Sequence, residues 1–326
     1  MIFDLHCDTI WKISEREEKG EYVSLVSNDL CVDQEKLLNG NFYAMCFAIY
    51  IPNKYENPFE RCVHDIDVYY DRLAKCDKIA PVLSFSDFEK NKGLGKISSV
   101  LTMEDGCPIG KDLSKLDYLY DRGVRMICLL HNLVNEIGYP NYGKYNEKGV
   151  PDYVTPNPNQ GLTDFGIELV QAMNEKGIVI DVSHLSDGGF YDVIKYSKKP
   201  IMASHSNARA VCGSIRNLTD DMLYKLADNG GATGMNYAKG FMSSKGDGDQ
   251  TVKWVIEHVK YIKNLIGIDH VALGSDFDGV SPDIELSDAS KMGLLVKGLD
   301  RAGFTTTEIE KVCYKNALRV FKDNLK

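Results

Sequence analysis

"GIVIDVSH", residues 177–184, places a five-residue run dominated by aliphatics between a glycine and a Ser-His end. Upstream, residues 164–176 carry a helical pattern that Thr163 opens as a cap and Gly177 stops. The run that follows is too short for a helix and apolar on successive positions, as a strand buried on both faces must be. A helix therefore delivers the chain into a doubly buried strand, and that strand ends in a histidine.

The same alternation extends in both directions. Strands are expected at 2–7, 42–51, 98–103, 125–130, 178–183, 201–204, 232–236 and 271–275, with helices at 59–76, 164–176, 220–229, 251–266 and 287–302 among the connections. Eight such strands predict an α/β fold, a closed (β/α)8 TIM barrel. A doubly wound sheet competes, but no G-x-G-x-x-G or phosphate-loop pattern opens a helix. One barrel domain is expected over residues 1–326, without internal repeats. Its long loop at 136–162, rich in Tyr, Pro, Asn and Gly, makes sense as a lid or binding wall.

Composition narrows the partners. The net charge is −9, and the 38 Lys and Arg form no dense basic run, which argues against nucleic acid and anionic membranes. No window approaches the roughly 18 apolar residues of a membrane span, and the charged early segment does not read as a secretory signal. Nine cysteines, an odd number without a C-x-x-C pair, suggest neither a disulfide framework nor a zinc ribbon, so a reducing cytoplasm is the expected location.

In such a barrel the reacting groups stand at the carboxyl ends of the strands. Those ends read His6-Cys7-Asp8, Glu104-Asp105-Gly106, His131-Asn132, Asp181-Val182-Ser183-His184, Ser204-His205-Ser206 and Asp276-Phe277-Asp278-Gly279. Strand alternation puts His6 and Asp8 on one side and Cys7 toward the helices, with Asp4 on the His6 side one layer deeper. His6 and Asp8 can hold one metal ion, His184 and His205 a second, and Glu104 can bridge the two. Singly, each has a bland alternative: H-x-D as a hydrogen-bonded pair, Glu104 as a loop carboxylate, His184 and His205 as satisfied core histidines. Five candidate ligands at one end of independently assigned strands favour the metal site. Of the remaining histidines, His64 and His258 read as exposed helix residues. Many two-metal barrel hydrolases resemble one another in an H-x-H on the first strand and a carboxylated lysine bridge, whereas H-x-D and a glutamate stand here.

With these motifs assembled, the sequence resembles the renal (membrane) dipeptidases and their bacterial relatives, zinc metallopeptidases on an amidohydrolase-like barrel. The similarity runs through D-L-H-C-D at 4–8, T-M-E-D-G at 102–106, L-L-H-N at 129–132, I-D-V-S-H at 180–184, A-S-H-S-N-A at 203–208 and G-S-D-F-D-G at 274–279. The resemblance implies two Zn2+ on His6, Asp8, Glu104, His184 and His205. It further implies that His131 contacts substrate near the scissile carbonyl, Arg216 receives the C-terminal carboxylate and Asp276 stands beside the bridging water. The implied reaction is attack of a metal-bridging hydroxide on a dipeptide with a free C-terminus, a D-residue at that position being one option. A small-molecule dipeptide is the expected partner, and a homodimer one possible assembly. Two alternatives stay open: a hydrolase of the same fold acting on a lactone, cyclic amide or N-acyl amino acid, and a non-catalytic binding protein. The segment after His131, N-L-V-N-E-I-G-Y-P, departs from the mammalian pattern, which leaves substrate preference open.

Overall fold

A computed structural model describes residues 1–52, 55–142, 152 and 155–326. Its strands are β1 (Ile2–Cys7), β2 (Phe42–Tyr50), β3 (Ile79–Pro81), β4 (Ile97–Glu104), β5 (Val124–Cys128), β6 (Val179–Asp181), β7 (Met202–Ala203), β8 (Ala232–Met235) and β9 (Val271–Leu273). All pairings between them are parallel. Eight close on themselves in the order β1, β2, β4, β5, β6, β7, β8, β9 and back to β1. The molecule is therefore the (β/α)8 barrel that the alternation predicts. The ninth strand, β3, pairs Ile79 to Ile97 at the start of β4, ahead of where β5 joins the same strand. Three residues ending in proline carry no period, so no pattern announces it.

Expected and observed elements differ mainly at their ends. The helices Asp164–Lys176 and Thr251–Ile266 stand where predicted, and Thr163 caps the first by accepting from Gly166 N–H, with Gly177 left-handed at φ 83° behind it. Residues 59–76 form a helix over Pro58–Leu73, while 287–302 divide into a short 3-10 turn at Ala289–Lys291 and a helix at Met292–Arg301. A further helix, Thr9–Glu17, follows β1 directly, with Asp8 at its N-cap making no side-chain cap bond.

Two packed layers hold the ring in place. Inside, Phe3, Leu5, Cys46, Val100, Met126 and Val179 form one cluster with Phe321 of the C-terminal helix Asn316–Asn324. Phe321 stacks on Phe3 at 5.3 Å, and Arg319 of that helix donates to the carbonyls of Gly231 and Asp269, both just ahead of strands. This helix closes the end where the strands begin, leaving the other end open. Outside, Cys7, Phe47, Ile49 and Met103 pack against the surrounding helices. β1 breaks regular pairing with β2 between Asp4 and Cys7. Asp4, fully buried, uses Oδ1 to accept from the N–H groups of His6 (3.2 Å) and Ser275 (2.9 Å), tying β1 to the residues after β9.

Candidate metal centre

The open end gathers six strand ends around one cavity of about 320 Å3, lined among others by Asp8, Glu104, His131, His184, Arg216 and Asp276. His6, Asp8, Glu104, His184 and His205 are all buried, although a carboxylate or imidazole in that state needs a partner. Two sets of donors share Glu104, one oxygen each. Oε1 lies 3.0 Å from His184 Nε2 and 3.5 Å from His205 Nε2, and the two imidazole nitrogens are 3.0 Å apart. Oε2 lies 3.7 Å from His6 Nε2, which is 3.3 Å from Asp8 Oδ2 and 3.9 Å from Asp276 Oδ1. Ligands 2.0–2.1 Å from a tetrahedral ion stand about 3.3 Å from one another, and both sets have edges near that length.

Electrostatics give the same indication. Burial alone would lower the His6 pKa, but the carboxylates of Glu104, Asp8 and Asp276 outweigh it and push it up to about 10. Glu104 is raised well above its ordinary value by burial and then by the charges of Asp8 and Asp276. Burial, with Asp8 adding to it, raises Asp276 to about 7. His184 and His205 are held neutral, first by burial and then by neighbouring cationic groups, and neutral imidazole is the ligating form. His6 Nε2 and Asp8 Oδ1 are buried with no hydrogen-bond partner among the described residues. A cation at this point satisfies both orphaned atoms and relieves the repulsion among the carboxylates, so the residues fit a metal site.

Local structure aims these groups. Asp276 adopts φ 64° and Asp278 φ 68°, a left-handed turn that aspartate tolerates better than most residues. Gly279 closes that turn, where a Cβ would stand 2.2 Å from Asp8 Oδ2 and 2.3 Å from Asp276 Oδ1. Around the donors lies a layer that the motifs contained without revealing its use. His184 Nδ1 is 3.1 Å from Asn132 Oδ1, and His205 Nδ1 is 2.7 Å from Ser204 Oγ, which donates to Asp181 Oδ2 at 2.5 Å. Asn236 Nδ2 donates to Asp276 Oδ2 at 2.9 Å. Asn132, Asp181 and Ser204, inside the same motifs as the candidate site residues, were the available signal, whereas Asn236 stands outside every motif. Such partners fix the tautomer and orientation of a ligating imidazole.

His131 stands beside the cluster, its ring 4.5 Å from that of His184 and 4.7 Å from that of Tyr50. It groups with Glu104 and His184 closely enough that a ligand role competes with a substrate role. Its pKa falls to about 3, through burial and then the charge of Arg216. Arg216 is buried, donates to the Ser183 carbonyl and places a terminal nitrogen 3.0 Å from His184 Nε2. Its Nε has no hydrogen-bond partner among the described residues. Trp11, Tyr50 and Tyr142 complete the wall. Tyr142 is the described part of the 136–162 loop that reaches the cavity; residues 143–151, 153 and 154 lie outside the described residues.

Two expectations need correction or sharpening. His258, read as an exposed helix residue, is fully buried: Ala208 and Met242 meet it, and both ring nitrogens are engaged. Asp4 lies apart from the donor cluster and acts as a brace between strands. His64 is exposed, as expected. Among the described residues no helix is long and apolar enough to cross a membrane.

The profile of a family described as membrane dipeptidase (peptidase family M19) matches residues 1–325. An uncharacterised protein from the pqqA 5′ region of Klebsiella pneumoniae is 32% identical over 268 residues, 79% of this chain and 96% of that protein. The dipeptidase tcpJ of Claviceps purpurea is 29% identical over 311 residues, 90% of this chain and 69% of its own. The crystal structure of a metallopeptidase from Rhodobacter sphaeroides, bound to a phosphinate mimic of the dipeptide L-Ala-D-Ala, superposes with a TM-score of 0.88 at 24% identity, covering 99% of both chains.

Proposed function

The chain belongs to the membrane dipeptidase family of metallopeptidases, and from that premise we propose that it hydrolyses dipeptides with a free C-terminal carboxylate at a dinuclear zinc centre. The observation that carries the reading is a buried guanidinium in the same cavity as the clustered donors. Arg216 donates to the His184 Nε2 lone pair that an ion would take, so metal binding would free that edge of the guanidinium for a substrate carboxylate. A carboxylate held there would set the last peptide bond beside the donors.

In this reading His6 and Asp8 would hold one ion, His184 and His205 the other, and Glu104 would serve both. Bound divalent ions supply hydroxide near neutral pH and polarise a carbonyl. The chain's own residues do the rest. Arg216 fixes the substrate's carboxylate, and neutral His131 offers an N–H to the oxygen that gains charge. Asp276, held by Asn236 on one oxygen, stands where it can accept a proton from the attacking water and return it to the leaving amine. Trp11 and Tyr50, packed edge to face at 5.2 Å, form an apolar wall that limits water. Arg216 engages the C-terminal carboxylate and not the side chain, so it does not itself select against a D-residue at that position. The described cysteines are free and mostly buried, which supports a cytoplasmic setting, and a single barrel domain carries the activity.

Metal analysis of the purified protein, paired with a dipeptide panel varying the chirality of the second residue and amidating the C-terminus, tests the reading. The expected result is two zinc per chain, cleavage of unblocked dipeptides and poor cleavage of their amides. Fewer than two equivalents of metal with no dipeptide cleaved overturns it, and cleavage confined to lactones or N-acyl amino acids favours the other hydrolase.

A further inference from the structure

Arg216 sits in a segment, residues 207–218, that leaves the end of β7 and returns to itself. Its base is closed by Arg209 N–H to Leu218 O at 2.7 Å and Leu218 N–H to Asn207 O at 2.8 Å. The side chain of Arg209 lies within this closure. On one edge its guanidinium donates to both carboxylate oxygens of Asp187, each at 2.8 Å. On another edge it donates from Nε to Asn217 O at 2.8 Å and from a terminal nitrogen to Ile215 O at 3.0 Å. Those two carbonyls belong to the residues on either side of Arg216. Asp187 opens the helix Asp187–Tyr196, which follows β6 and the His184 end.

We propose that Arg209 is a positioning residue for substrate recognition: it grips the backbone on both sides of Arg216 and references it, through Asp187, to the strand end that carries His184. The inference rests on Arg216 as the receiver of the substrate carboxylate. The geometry calls for a guanidinium. A planar fork presents two edges at once, one to a carboxylate and one to a pair of carbonyls, whereas a lysine ammonium offers a single nitrogen at the end of a flexible stem. Freed of the grip, Arg216 keeps its charge but loses its fixed approach, so substrate binding weakens while the chemistry at the donor cluster persists.

The test uses the metal-loaded enzyme and an unblocked dipeptide, comparing wild type with R209K, D187N, R216M and the R209K/R216M double variant. R209K is expected to raise KM at least about tenfold, with kcat changed less than about threefold and metal content unchanged. D187N is expected to act in the same direction. In the double variant R209K adds less than about twofold to the KM of R216M, because the two act through one contact. A KM for R209K within twofold of wild type overturns the inference, as does a parallel fall of kcat and kcat/KM, loss of metal, or effects that multiply in the double variant. Should R209K not fold, D187N, which leaves the arginine in place, decides on the same criteria. If R216M itself leaves KM unchanged, the carboxylate reading fails; an impaired R216M beside a wild-type-like R209K removes only the role of Arg209.

Discussion

His258 makes the protein acid-sensitive by an amount that can be worked out. Its Nε2 lies 3.0 Å from Met242 O and its Nδ1 accepts from Ala208 N–H at 3.2 Å, so the bound tautomer is neutral with the proton on Nε2. Burial lowers its pKa from 6.5 to about 4, the bond to Met242 opposing this only in part. Above pH 6.5 the group is neutral in both states and contributes nothing to the pH dependence. As pH falls, the unfolded chain takes up the proton first, so stability is lost between about 6.5 and 4. At 1.36 kcal/mol per unit the full loss is about 3 kcal/mol, of which about 2 kcal/mol has gone by pH 5. H258Q keeps a donor for Met242 but removes the titration. At pH 8 it should be less stable than wild type by roughly 1–3 kcal/mol, for the acceptor that Ala208 loses. By pH 5 that gap should have closed by about 2 kcal/mol. Urea unfolding of chelator-treated protein at both pH values gives the gap directly, provided fluorescence and circular dichroism transitions coincide. A gap that stays constant or widens on acidification refutes the reasoning.

Three further outcomes concern the metal centre. E104Q should leave less than one equivalent of metal bound and cost more activity than the roughly 10–100-fold typical of an outer partner; unaltered metal content and activity would remove Glu104 from the site. S204A, which cuts the link from His205 Nδ1 to Asp181 Oδ2, should weaken metal affinity by about 10–100-fold in a chelator competition, and equal affinities would leave the link structural. G279A places a Cβ within 2.3 Å of two carboxylate oxygens and should release metal while leaving the circular dichroism spectrum intact; full occupancy would show that the turn yields.

The barrel was legible because its strands are buried on both faces, and that demand leaves an unbroken apolar run which composition and period detect. The donor residues were legible for a related reason: a histidine or carboxylate directly after such a run has few places to go except the mouth of the barrel. What stayed hidden depends on contacts between distant segments. β3 is too short to carry a pattern. His258 sits in a correctly placed helix, yet its burial is decided by residues 208 and 242, 50 and 16 positions away. The sharing of Glu104, Oε1 to one histidine pair and Oε2 to His6, follows from the closed ring and from no local spacing. Asp181 lies between these extremes. It is a carboxylate within an apolar, doubly buried strand, which physical chemistry forbids unless donors meet it there. Parallel pairing of β6 with β7 sets Asp181 opposite Met202, so the donors that can reach it come from the residues just beyond, and Ser183 and Ser204 supply them. A charged residue inside an otherwise apolar strand thus already implied an organised polar layer beneath the clustered donors, and the serines of I-D-V-S-H and A-S-H-S-N-A were its members.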